Sequence, residues 1–408
     1  MSARQDNEFR QGWPLILAAM VGIGLGLGSI PFYSLGVFAP ELVRDFGWTY
    51  AEVMGGFTVM TLVTAVTGPL AGILADRFGV RPVAIGTLVL FSLGFMSFAL
   101  MNGSLTLYFL VWALVAAVGA GTLPATWTRG VAGAFQRRRG IALGLSLVGS
   151  GLFAIIAKPL VAAAITSVGW RGAYIVLGAL PLVIGLPVAL LYFKPKGSSP
   201  AEASSSAPEQ QDGLLLGEAL RGRKLWTIFG SFSLVAFAIG SPIPHMQNIL
   251  TQGGMSAADI LQLLPMIGFG VIGGRLLGGA LIDRFWAPGV AAVLLMFPAA
   301  ACLLLTGEIS YVTAAAAIVM ISLAAGMEID LMGYLIARYF GMRAYSGLFG
   351  TIYVAFMLGA GFGPLLFGHM FDTRGNYDAV LLVTAAALVI GALSLLTLGR
   401  YRDASASH

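Results

Sequence analysis

The sequence is poor in charge, cysteine and histidine. Only 10% of its 408 residues are charged, against about a quarter in a soluble domain. That deficit excludes a soluble enzyme and a disordered scaffold. Cys302 is the only cysteine, so an internal disulfide and a Cys-x-x-Cys redox or zinc motif are excluded. The three histidines, His245, His369 and His408, are scattered. No His, Asp and Cys set clusters as a lipid-embedded enzyme would require. Neither an enzyme nor a bound metal or cofactor is therefore expected.

What the chain has is apolar surface: 58% hydrophobic residues and a mean hydropathy of +0.89. A spanning helix uses about 20 apolar residues. Twelve apolar runs lie near 13–40, 51–75, 82–101, 105–134, 140–167, 171–193, 224–250, 257–282, 288–306, 311–340, 345–370 and 377–399. They are continuous rather than alternating, which excludes a β-barrel. The fold expected is an all-α membrane protein of twelve transmembrane helices. The polar start and the long first run read as a retained span, not a cleaved signal. The 55 glycines suit helices that approach closely in lipid.

Residues 194–223 are polar and Ser/Ala/Glu/Gln-rich, a linker by composition. They divide the chain into a bundle at 1–193 and a second at 224–408, six runs each. Residues 214–220 read as a short interfacial helix. With the N-terminus cytoplasmic, seventeen of the 23 Lys and Arg fall on that side. Only Arg44, Arg171 and Arg374 fall opposite, and Arg129, Lys158 and Arg275 lie inside runs. This positive-inside bias puts both termini and the linker in the cytoplasm. It also accounts for the net charge of +5 without nucleic acid as a partner. A multi-pass protein of the inner (plasma) membrane is expected.

The two halves repeat. Gly72, Leu74, Asp76, Arg77 and Phe78 recur 207 positions later as Gly279, Leu281, Asp283, Arg284 and Phe285. Phe135, Arg138, Leu143, Pro159 and Leu160 recur 205 positions later as Phe340, Arg343, Leu348, Pro364 and Leu365. Two homologous six-helix halves are the design of a rocking secondary transporter, with its site expected at their interface.

Gly72-x-x-x-Asp76-Arg77-x-Gly79-x-Arg81 resembles the loop 2–3 signature of the major facilitator superfamily. The copy at loop 8–9 has Trp286 in place of the second glycine. The chain is similar, more narrowly, to bacterial members of the monocarboxylate porter family. Tyr33-Ser-Leu-Gly-Val-Phe-Ala-Pro-Glu-Leu, Phe46-Gly-Trp-Thr-Tyr-Ala-Glu52, Phe135-Gln-Arg-Arg-Arg-Gly-Ile-Ala-Leu-Gly144 and Gly169-Trp-Arg-Gly-Ala-Tyr174 carry that resemblance. It implies a monomeric carrier of small carboxylates, with protons as partner.

The repeat separates scaffold from site. Residues matched in both halves hold the fold or the gate, here Asp76, Arg77, Asp283 and Arg284, with Arg81 beside them. The resemblance implies that this loop pins the cytoplasmic face. Ionisable residues within the runs are unmatched: Arg129, Lys158, Arg275, Glu328 and Asp330. Charges in lipid are costly and mark pathways.

Arg275 offers a permanently charged planar fork to a carboxylate. The resemblance implies a substrate-binding arginine in run 8, with an aspartate one turn earlier in some members. Here that place holds Val271. The plain alternative is an arginine bridging to an acid on another helix.

His245, between Pro244 and the outer end of run 7, is implied by the resemblance to hold substrate; alternatively it is hydrogen-bonded at the interface. Lys158 reads either as a partner for a second carboxylate or as a snorkelling cation. Arg129 reads either as a cavity cation or as a gate. Tyr33 and Tyr353 are candidate hydroxyl donors, or packing residues.

Glu328 and Asp330 are candidates for proton coupling, or for neutralising Arg275 or Arg129. Two positions apart on a helix, they project about 200° from each other. Asp330, Tyr334 and Arg338 share one face and read as a ladder, which makes Glu328 the preferred proton site. The function expected is proton-coupled symport of small organic anions by alternating access. Dicarboxylate exchange and efflux antiport are the alternatives, and the absence of an interior acid in runs 1 to 6 counts against efflux.

Overall fold

A computed structural model of the protein describes residues 3–135, 139–195, 213–341, 343–399 and 401. Most of the linker, with Lys196, and also Arg137, Arg138, Arg400, Arg402 and His408, lie outside the described residues. The described chain is almost wholly helical, without a strand. It forms two compact units, Met1–Ala207 and Pro208–His408.

Among the described residues nine helices are long and apolar enough to cross a membrane, or ten when a bent pair counts as one span. The bent pair is run 7: Arg223–Gly240 and Pro242–Gln252 meet at 41°. Pro242 and Pro244 lack the N–H groups that would continue the ladder. The stretch Gly140–Tyr192 counts as one of the nine, yet it turns at Gly169, where φ is +73°. That conformation is open to glycine, and it separates runs 5 and 6. Run 1 is broken too, into helices Ala3–Gly24 and Ile30–Phe46. The twelve-run pattern is consistent with this order of helices.

In the first unit the break in run 1 is tied to a break in run 4. The freed Leu27 N–H donates to Thr122 Oγ1 at 2.9 Å, and Thr122 closes a short turn after helix Leu105–Gly119. Runs 1 and 5 touch backbone to backbone: a Cβ on Gly149 would lie 1.8 Å from the carbonyl oxygen of Met20. Gly149→Val is therefore expected to force these helices apart and lower stability by about 1–3 kcal/mol, as overpacking does. Thermal unfolding in detergent checks this, and an unchanged midpoint would contradict it.

Two of the family phrases prove to be joints. In Phe46-Gly-Trp-Thr-Tyr-Ala-Glu52, Gly47 ends run 1 with φ +67°. Thr49 and Glu52 then open helix Tyr50–Phe78 with a reciprocal capping box, which satisfies two otherwise orphaned donors. In Gly169-Trp-Arg-Gly-Ala-Tyr174, the Trp170 indole N–H donates to Asp45 at 2.6 Å. Arg171 lies over the Trp170 ring at 4.1 Å, and Tyr174 stacks on Phe38 at 3.8 Å.

In the second unit the linker's far end is attached. Leu214 N–H donates to Phe340 O at 2.9 Å, and helix Leu216–Arg221 follows, against the short helix expected at 214–220. Runs 8, 9 and 10 are helices Met266–Arg284, Ala287–Leu304 and Tyr311–Phe340. Runs 11 and 12 are Tyr345–Arg374 and Asp378–Leu396.

Candidate functional site

Glycines decide where Arg275 sits. A Cβ on Gly274 would lie 1.9 Å from Leu323 O, and one on Gly326 would lie 2.1 Å from Val271 O. Only glycine on both helices lets runs 8 and 10 come this close. The contact brackets Arg275 in run 8 and draws Asp330 of run 10 towards it. Arg275 Nε and Asp330 Oδ2 stand 3.7 Å apart, with the arginine side chain 11% exposed and the aspartate 30%. The acid missing from run 8, where Val271 is buried, is thus supplied from run 10. Arg275 Nε and Nη1 are buried without a hydrogen-bond partner among the described residues. A guanidinium has five N–H donors, and an ion pair at this distance leaves most of them available.

Glu328 lies elsewhere. It is buried, and its Oε1 has no hydrogen-bond partner among the described residues. It lines a small apolar cavity with Phe232, Val235 and Ile239 of run 7, Leu295 of run 9 and Leu395 of run 12. The two acids therefore part as their spacing requires, and Asp330 is the one that meets Arg275. The expected ladder of Asp330, Tyr334 and Arg338 is not one chain of contacts. Asp330 turns to run 8, whereas Arg338 lies over the rings of Tyr334 and Tyr401 at 6.0 and 4.6 Å.

His245 is fully buried and both ring nitrogens are engaged. Nε2 is 2.9 Å from Pro364 O, so it carries the proton and donates. Nδ1 then accepts from Tyr377 OH at 3.0 Å. These bonds tie run 7 to run 11 and to the start of run 12, and Gln252 adds a third by accepting from Tyr377 N–H. The histidine is hydrogen-bonded, as its plain alternative has it, but inside the helix packing rather than at the interface. Tyr377→Phe is expected to cost about 1 kcal/mol, the usual net worth of a hydrogen bond. His245→Leu should cost more, because it also strips the Pro364 carbonyl of a donor. Paired thermal melts check the order; a Tyr377→Phe chain with an unshifted melt and a raised substrate KM would return His245 to the substrate.

Tyr353 stands in an aromatic row, stacked on Phe349 at 6.0 Å and on Phe356 at 5.6 Å. In the first unit Lys158 is 2% exposed beside Pro159. Tyr33 is buried with Phe32 against its edge at 5.0 Å.

Arg129 pairs with Asp76, which joins run 4 to the end of run 2 and sets Arg129 beside the loop 2–3 motif. Both side chains are about half exposed. Arg81 donates to Leu190 O at 2.8 Å, fastening the start of run 3 to run 6. Arg77 lies over Phe78 at 5.4 Å.

The second copy of this loop differs. Gly79 has φ +91°, whereas Trp286 in the equivalent place is extended at φ −65°, which needs no glycine. Tyr334 stands where the first unit has Arg129. Asp283 and Arg284 accordingly line an open cavity of about 740 Å³ with Tyr334, Arg338 and Tyr401. Tyr377 and Tyr401 were missed in the sequence; one caps the start of the last helix and the other lies beyond its end, positions that no periodicity distinguishes.

The Major Facilitator Superfamily model matches residues 15–354. The chain belongs to that superfamily. It is a multi-pass membrane transporter and not an enzyme. This superfamily member is 31% identical over 367 residues to an "Uncharacterized 38 kDa protein in 23S RNA operon" of Thermoproteus tenax, covering 90% of this chain and 91% of that protein. It is 28% identical to Homo sapiens monocarboxylate transporter 11, over 95% of this chain and 83% of the relative. It is 26% identical to Rattus norvegicus monocarboxylate transporter 3, over 93% and 78%. Among solved structures, a bacterial homolog of the human lysosomal transporter Spinster matches with a TM-score of 0.70 at 16% identity, over 95% of each chain. That likeness establishes the fold.

Proposed function

We propose that this transporter carries small organic carboxylates in symport with protons by alternating access, with both termini cytoplasmic. The observation that carries the reading is Arg275: a buried guanidinium with unfilled donors, balanced by one acid on a neighbouring helix. A carboxylate that takes the fork competes with Asp330. The displaced aspartate, now without its counter-charge, takes up a proton. Anion and proton then load together and leave the pair neutral overall. The relatives named monocarboxylate transporters support the substrate class.

The test is uptake into vesicles containing the purified chain. Monocarboxylates, dicarboxylates, aromatic acids and organic cations are compared, with and without an acid-outside pH gradient. Carboxylate uptake driven by that gradient is expected. Uptake of cations, or carboxylate uptake indifferent to the gradient, would overturn substrate or coupling respectively. Buried Lys158 in the other unit favours one second reading, dicarboxylate exchange without protons.

A further inference from the structure

Runs 8 and 9 each pack on run 10 but scarcely on each other. The gap between them is an apolar groove of about 430 Å³, lined by Leu277, Leu281, Phe297, Met320 and Leu323. Leu277 and Phe297, apolar side chains on spanning helices, are about half exposed, so the groove is open at the surface. Exposed apolar side chains need no explanation in lipid, but a cleft among them does: hydrocarbon fills it only by entering it.

At one end the groove runs into the polar cavity described above. Arg284 and Phe285 line both. There Arg284 and Arg338 have no acid within salt-bridge distance among the described residues. Asp283 lines the same cavity, so the two guanidiniums leave one net positive charge. That matches one phosphodiester. Tyr401 OH already accepts from Ala287 N–H at 2.8 Å, and its own proton remains to donate to a phosphate oxygen.

We infer that this groove and cavity together form a binding site for an anionic phospholipid. One acyl chain lies between runs 8 and 9, and the phosphate sits on Arg284 and Arg338. In the orientation proposed above, the headgroup belongs to the cytoplasmic leaflet. Basic pockets at that depth between membrane helices suit anionic headgroups. A soluble anion would use the guanidiniums but leave the groove unexplained.

Native mass spectrometry of the full chain in detergent tests this. The chain is titrated separately with phosphatidylglycerol, phosphatidylcholine and inorganic phosphate. Phosphatidylglycerol is expected to be retained at one copy per chain, in preference to phosphatidylcholine. Arg284→Gln with Arg338→Gln should lower its occupancy about tenfold or more, at about one surface charge each.

Ala280 lines the groove too, and Ala280→Trp, which fills it and leaves every charge in place, should lower occupancy as well. Arg374→Gln, a cation at the opposite membrane face, should not. Equal retention of both lipids, or retention unaffected by either groove or arginine variant, would overturn the site. So would inorganic phosphate that displaces the lipid. If the double variant does not fold, the Ala280→Trp chain decides between the same outcomes.

Discussion

Arg275→Gln is expected to lower carboxylate uptake about 100-fold and to abolish the thermal stabilisation that carboxylates give the wild-type chain. Glutamine keeps a polar side chain of similar reach but has neither the charge nor the fork. Charge-assisted hydrogen bonds contribute about 1.5–3 kcal/mol each, so losing the bidentate set removes roughly 3 kcal/mol of anion binding, about two decades in affinity. Arg275→Lys should fall between, since it restores charge without the planar pair of donors. The variant chain itself should fold: Asp330 is 30% exposed and can hydrate or protonate when its partner is gone. Uptake and thermal shift are measured together, because a ligand stabilises only the state that it binds. Equal carboxylate stabilisation in wild type and Arg275→Gln would remove Arg275 from the site.

Asp330→Asn is expected to separate transport from proton drive. The variant should still exchange labelled for unlabelled carboxylate across the membrane, because Arg275 still binds the anion. Net uptake should cease to respond to an acid-outside gradient, because no group is left to take the proton when the anion arrives. Its melting temperature should fall, since Arg275 loses its only salt-bridge partner among the described residues. Breaking a fully buried pair costs about 3–5 kcal/mol; partial exposure and the 3.7 Å separation place this one at the low end or below.

Saturating carboxylate should restore more stability to Asp330→Asn than to wild type, because the ligand supplies the missing negative charge. Glu328→Gln provides the contrast. Glu328 sits among apolar side chains, away from Arg275, and its neutral isostere should leave the pH response intact. A gradient response that survives Asp330→Asn and is lost in Glu328→Gln would exchange the two roles.

The membrane class and the repeated halves were legible because lipid imposes a simple rule. Every spanning segment must be long, apolar and internally hydrogen-bonded, and hydropathy alone exposes that pattern. The family phrases were legible as signatures, yet the two that are joints were not legible as such. Nothing in the string Gly169-Trp-Arg states that Trp170 reaches Asp45 across 125 positions. The Glu328 and Asp330 divergence followed from helix geometry, because two positions on one helix fix an angle whatever surrounds them. Which of the two meets Arg275 did not follow, because that depends on how run 10 is rotated against run 8.

By itself, then, the sequence determined the class of solvent, the helical architecture, the duplication and which cations and acids are unmatched between the halves. These are properties of composition, period and self-comparison along one dimension. The tertiary structure decided the pairings. Asp330 became the partner of Arg275, His245 became a tie between three helices, and Arg129 joined Asp76. Each depends on side chains that meet across packed helices. The glycines that set those distances, Gly274 and Gly326 above all, acquire meaning only when two backbones are brought together.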